Sequence, residues 1–208
     1  MKGKIFFILL IVVAQLLSCR EIFAQKWEFV KEKDGIKIYT SKDKNSPLKS
    51  FKGETILNTQ MEKVTNMVGN VKNVEWWDKS VREIKVLSYE EGKNIKYYLV
   101  YDVPWPFTDR DLCVESKITD DPVTGQRTIY SVPLPDVVPE KPDVIRIKNY
   151  WQRWIIQPLD KNRIHVILEG HVDPAGSVPA WLYNMVITDT PLKVIRGIKS
   201  RVEPAAAK

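Results

Sequence analysis

Cysteine and histidine are scarce in this 208-residue chain, with two of each: Cys19, Cys113, His165 and His171. That count excludes a disulfide scaffold, and it excludes a Cys/His zinc site, which wants four ligands at short spacings. Neither a glycine-rich phosphate loop nor a His-Glu-x-x-His pattern occurs, so the two commonest local signatures of nucleotide and metalloprotease chemistry are missing. His165 and His171, six apart on one expected strand, share a face and read as solvent-facing strand residues. Asp111 and Glu115 flank Cys113 and disfavour its thiolate, which leaves no nucleophile there. Asp109 and Asp111 straddle Arg110 and read as structural pairs rather than an acid/base dyad. Lysine and arginine exceed the acids by only 32 to 26, and they are scattered, so no nucleic-acid footprint forms. No catalytic residue, metal or cofactor is expected.

The one long apolar run lies at the N-terminus. Lys2 and Lys4 precede Ile5 to Ala14, with Leu16 and Leu17 extending the run. A positive start and an apolar stretch of this length make a Sec signal peptide over residues 1–24; a bilayer span wants roughly 20 apolar residues. Ile22-Phe23-Ala24 fits cleavage before Gln25 and a secreted or periplasmic product, whereas Leu16-Leu17-Ser18-Cys19 offers the alternative of a lipoprotein anchored through Cys19. Either cut removes two of the six net positive charges ahead of the folded part, 25–203. Residues 204–208 read as a frayed tail.

What remains is aromatic-rich, keeping all seven Trp and eight Tyr and three of the six Phe, and it is patterned as strands. Segments 35–40 and 49–57 alternate apolar and polar residues. A helix is expected over 59–68, capped by Thr59 with Glu62 closing a capping box, and a short helical or looped piece over 71–79 holds Trp76 and Trp77. Strands follow at 82–89 and 94–103, 111–119 and 126–134, and 144–157 and 163–172, each pair joined by a turn-forming segment. A closing helix over 177–202, with Ser177 as N-cap, carries Trp181, Met185, Thr188, Leu192, Ile195, Ile198 and Val202 as one stripe. Pro191 within it predicts a kink or break near 187–190. The pattern is α+β, a curved antiparallel sheet around one long helix.

Alternation assigns an inward face to Leu99 and Tyr101, to Leu112, Val114 and Ser116, to Tyr130 and Val132, to Asn149, Trp151 and Arg153, and to Val166 and Leu168. Polar groups on such faces are costly in a filled core but suit an apolar pocket with a few hydrogen-bonding points. The residues expected to line a pocket are Leu99, Tyr101, Val114, Ser116, Tyr130, Val132, Trp151, Arg153 and Leu168, with Trp181, Met185, Thr188 and Leu192 from the helix. On the residues alone a filled core stays open beside the pocket.

Three segments carry a resemblance. Pro104-Trp105-Pro106-Phe107-Thr108-Asp109-Arg110-Asp111 resembles the P-x-x-x-RD start of a strand in START domains, the steroidogenic-acute-regulatory-related lipid-transfer family. Trp77-Asp78-Lys79-Ser80-Val81 is similar to the family's WD-x-x-V segment, and Asp173 to Asn184 is similar to its approach to the last helix. The three fall in the family's order and spacing, and the resemblance covers about residues 27–202. The resemblance implies a helix-grip fold with an internal hydrophobic tunnel. It also implies non-enzymatic binding of a lipid or other apolar molecule, with transient membrane contact, by a monomer. The lid it implies is residues 177–202 with the proline-rich 133–143. Sterol-type members carry a tunnel-facing arginine where Ser116 stands here, a departure that weakens a cholesterol assignment; Arg153 is the substitute cavity charge. A helix-grip enzyme and a filled-core interaction domain are the alternatives.

Overall fold

Asp34 and Gly35 both adopt positive φ, 56° and 73°, the geometry of a two-residue type I′ hairpin. They join β1 (Glu28–Lys33) to β2 (Ile36–Lys42), and β3 (Lys49–Leu57) pairs on the far side of β2. The computed structural model describes residues 25–69 and 80–203. The expected signal peptide 1–24 with Cys19, the piece 71–79 and the tail 204–208 lie outside the described residues. Helix α1 (Met61–Val68) follows β3, and then come β4 (Val81–Glu90), β5 (Asn94–Tyr101), β6 (Asp109–Asp120), β7 (Arg127–Pro133), β8 (Val144–Arg146), β9 (Tyr150–Asp160) and β10 (Arg163–Val172). Two helices close the described chain, α2 (Ala180–Val186) and α3 (Asp189–Val202).

The strands form one open sheet in the order β1-β2-β3-β10-β9-β7-β6-β5-β4, with β8 parallel to the start of β6. Every other pairing is antiparallel. The sheet with its C-terminal helices is the α+β helix-grip arrangement.

Four local expectations are corrected. Strand β1 was not anticipated, because its alternating charges hide it. Helix α1 starts from Gln60 with no side-chain cap, so Thr59 and Glu62 form no capping box; the Thr59 hydroxyl has no hydrogen-bond partner among the described residues. The strand expected over 144–157 is broken at 147–149, which sends β8 to β6 and β9 to β7. The closing helix breaks near 187–190 as expected, into two helices, but α2 starts from Pro179 rather than Ser177. The break at Ile187 and Thr188 puts Pro191 in the first turn of α3, where no i−4 carbonyl is lost to it.

Helix α3 buries Leu192, Ile195, Ile198 and Val202 over β2, β3 and β10. Against it pack Ile36, Ile38, Phe51, Leu57, Ile164 and Leu168. Gly53 permits the close approach: a Cβ there would stand 2.8 Å from both Ile195 Cδ1 and Pro191 Cβ. This half of the molecule is filled.

Candidate functional site

The other half is hollow. Between the inner face of β5, β6, β7 and β9 and the helices α2 and α3 lies a cavity of about 770 Å³, within the range that holds drug-sized molecules. Leu112, Ile129, Ile147 and Trp154 supply apolar wall from the sheet, and Leu182, Ile187 and Val194 supply it from the helices.

Polar residues interrupt that wall in one cross-strand row. Ser116 pairs with Ser131 across β6 and β7, and Ser131 pairs with Gln152 across β7 and β9. The two serine hydroxyls share a 2.7 Å hydrogen bond. Tyr97, Tyr101 and Tyr150 line the same cavity. Burial pushes the Tyr97 phenol up to about 12, with the Ser116 hydroxyl acting in the opposite direction. Tyr150 is held well above its ordinary value by burial and by the neighbouring Tyr97 and Tyr101 phenols.

Two charged residues of the lining, Arg110 and Asp102, are engaged elsewhere. Arg110 donates from Nε to the Pro174 carbonyl at 3.0 Å, from Nη2 to that of Ala175 at 3.2 Å, and from Nη1 to that of Thr108. It clasps the start of β6 to the segment after β10, which makes it structural. Asp102 pairs with Arg82 at 3.0 Å on the outer edge.

Behind the hollow half, on the outer face of the sheet, sits a buried ion pair. Arg146 donates from Nε to Asp111 Oδ1 at 2.7 Å and from Nη2 to Oδ2 at 2.9 Å. The Tyr98 hydroxyl donates to the same Oδ2 at 3.1 Å. Arg146 also holds the carbonyls of Pro135, Val138 and Pro139. The proline-rich 133–143, expected in the lid, is therefore strapped to the outer face and contributes nothing to the cavity wall.

Of the thirteen residues expected at the site, Tyr101 and Ser116 line the cavity. Leu99 and Val114 share their inward face but lie in the packed layer with Leu112 and Ile147. Leu168 and Leu192 belong to the filled core, and Thr188 is buried at the helix break. Tyr130, Val132, Trp151 and Arg153 are corrected to the opposite face: the wall is built from Ile129 and Ser131, and from Tyr150, Gln152 and Trp154. Arg153 pairs with Glu169, Nε to Oε2 at 3.0 Å, and supplies no cavity charge. Trp181 and Met185 are 69% and 62% exposed, since the break restarts the helical phase and turns Leu182, Tyr183 and Val186 inward instead. His165 and His171 share the outer face as expected, but His171 is buried beside Ser50, Oγ to Nδ1 3.3 Å.

One wall segment was not anticipated. Val103, Pro104, Trp105 and Phe107, in the loop between β5 and β6, line the cavity, as does Val186 on α2. Trp105 is 92% exposed, and Trp181 and Met185 on α2 are exposed as well. The P-x-x-x-RD segment that carries the resemblance supplies this loop.

The sequence matches the START domain over residues 12–208. The phosphatidylcholine transfer protein of Rattus norvegicus is 29% identical over 163 residues, 76% of this chain and 75% of that protein. The STAR-related lipid transfer protein of Xanthomonas axonopodis, a crystal structure, superposes with a TM-score of 0.76 at 26% identity, covering 84% of this chain and 97% of that one. Human StAR-related lipid transfer protein 5 shares the fold at a TM-score of 0.74 and 16% identity, covering 97% and 98%.

Proposed function

The chain belongs to the START domain family, and on that premise we propose that it binds one lipid or comparable apolar molecule in its cavity and carries it without chemistry. The observation that supports this reading is the void of about 770 Å³, walled by aliphatic and aromatic side chains, in a protein whose other half is close-packed. Burying apolar ligand surface there contributes about 25 cal/mol per Å². Relatives named for lipid and phosphatidylcholine transfer support the same class of ligand. Neither histidine lines the cavity, and burial raises the Cys113 thiol above its ordinary value, which favours a binder over a helix-grip enzyme.

Exchange takes place at the mouth. The loop holding Trp105 and the exposed side of α2 form an apolar rim at which a membrane surface receives or delivers the ligand, as Trp side chains favour the bilayer interface. Opening there needs α2 to move against the loop, while α3 stays seated on its filled core. We place the protein outside the cytoplasm, exported through residues 1–24, where it acts as a monomer.

The test is to express the full chain in an exporting host, recover it from the envelope fraction, and record native mass spectra before and after lipid extraction. The expected result is a one-to-one adduct of an extractable lipid, on a chain starting at Gln25 or at a lipidated Cys19. No adduct, and no shift in melting temperature with phospholipid, sterol or fatty acid, overturns the binding reading. A chain retaining residue 1 overturns the export reading.

A further inference from the structure

The geometry points to a determinant of which lipid is taken: the cavity recognises one uncharged oxygen function, a hydroxyl or carbonyl, through Tyr150 and Gln152, with the Ser116–Ser131 pair beside them. This rests on the lipid-binding reading above and narrows it. Tyr150 and Gln152 stand two apart on β9, so both side chains leave the same face of the sheet, and both line the cavity. Among the described residues neither side chain has a hydrogen-bond partner. Desolvation is the main cause holding the Tyr150 phenol above its ordinary value, so its hydroxyl sits away from bulk water. Polar groups placed this way are costly unless something satisfies them.

The donor and acceptor count sets the chemistry. Gln152 offers two N–H donors and one carbonyl, and Tyr150 offers one donor and one acceptor. The Ser116–Ser131 pair shares one hydrogen bond at 2.7 Å and Ser116 also meets the Tyr97 phenol, so these hydroxyls are largely satisfied and Tyr150 and Gln152 are the open groups beside them. Such a set suits a hydroxyl, which both gives and takes, or an ester or ketone carbonyl, which takes. A carboxylate or phosphodiester placed here needs a cation. Arg110 is spent on three backbone carbonyls, and Lys193 lines the cavity from α3, where it is exposed, rather than from β9. The phenol rings of Tyr97, Tyr101 and Tyr150 can face an ammonium, but the phosphodiester attached to a choline would still lie beside neutral groups. Charge on the ligand therefore belongs at the mouth, and the end near β9 is neutral.

Three probes sharing oleoyl chains separate the cases: 1,2-dioleoylglycerol, dioleoylphosphatidylcholine and oleate. The purified chain is incubated with vesicles containing all three in equal amounts, re-isolated by gel filtration, and the bound species are counted by native mass spectrometry. Dioleoylglycerol is expected to load at least about tenfold over each of the others. Tyr150→Phe and Gln152→Leu are each expected to lower that ratio about three- to tenfold; Tyr130→Phe, on the outer face, leaves it unchanged. A wild-type preference for dioleoylphosphatidylcholine or oleate overturns the inference while lipid binding stands, and so does a ratio untouched by both β9 variants. Failure to load any of the three overturns the lipid-binding reading itself.

Discussion

One sheet carries two halves that solve the same packing problem differently. Under α3, the strands β2, β3 and β10 present Ile36, Ile38, Phe51, Leu57, Ile164 and Leu168, and α3 answers with Leu192, Ile195 and Ile198. Under α2, the strands β5, β6, β7 and β9 present tyrosines, serines and Gln152, and α2 leaves a void of about 770 Å³. Aliphatic side chains of matched size interdigitate to native density, whereas phenols and hydroxyls hold polar atoms that a dry core cannot satisfy. The hollow half gains its rigidity from outside. The strap 134–146 covers its outer face, packing Val144, Leu134 and Val138 against Tyr98, Val100 and Cys113, and Arg146 ties the strap to Asp111.

The largest expected effect comes from cutting that tie. Arg146→Met leaves the Asp111 carboxylate, which is fully buried, without its partner, and is expected to cost about 3–5 kcal/mol. Urea unfolding followed by tryptophan fluorescence measures it; a cost under about 1 kcal/mol would mean the hollow half does not depend on its outer brace. Next in size is a pair of truncations. Ile195→Ala, under the filled half, opens a new void and is expected to cost about 2–5 kcal/mol. Leu182→Ala, at a wall already facing a void, forfeits only part of its apolar burial, less than about 1.5 kcal/mol. Equal losses would erase the distinction between the halves.

A third substitution turns one half into the other. Ile129→Trp projects a larger ring into the cavity, and ligand loading is expected to fall at least about tenfold while stability changes by less than about 1 kcal/mol. The same change at Ile38, which is fully buried beneath α3, has no space to enter and is expected to cost about 1–3 kcal/mol or more. Undiminished loading by Ile129→Trp would place the ligand somewhere other than this cavity.

The same contrast explains how much could be read from the sequence. The filled half was legible: Ile36 and Ile38 alternate on β2, and Leu192, Ile195, Ile198 and Val202 repeat at helical steps. The exception was β1, whose Glu28, Lys31, Glu32 and Lys33 mask an edge strand that the Asp34-Gly35 turn could have disclosed. In the hollow half the usual rule inverts. Tyr130 and Val132 look more apolar than Ile129 and Ser131, and Trp151 outweighs Gln152, yet the serine and the glutamine face inward because the space there is a cavity. Extending the α3 stripe back through the break placed Trp181 and Met185 wrongly for a different reason: a helix that stops and restarts keeps no phase. Tyr101 and Ser116 do face the cavity, since the alternation of β5 and β6 turns both to the inner side of the sheet.

The smallest effect separates the halves by pH. Behind the hollow half the buried polar group is an ion pair; behind the filled half it is His171, beside the Ser50 hydroxyl. Burial lowers the His171 pKa from 6.5, against the opposing pull of Asp173 and Asp43. The folded state thus disfavours the imidazolium relative to the unfolded chain. The stability this contributes is fully present above about pH 6.5 and is lost as pH falls through the depressed folded-state value. Unfolding midpoints taken at several pH values between about 7.5 and 4.5 are expected to fall more steeply for the wild type than for His171→Asn, which has no imidazolium to form. Over the same range Cys113→Ala, in the packed layer behind the hollow half, should track the wild type in slope although its absolute stability differs. Parallel wild-type and His171→Asn curves would show that the imidazole is satisfied in both charge states, and that the outer faces of the two halves respond to acid alike.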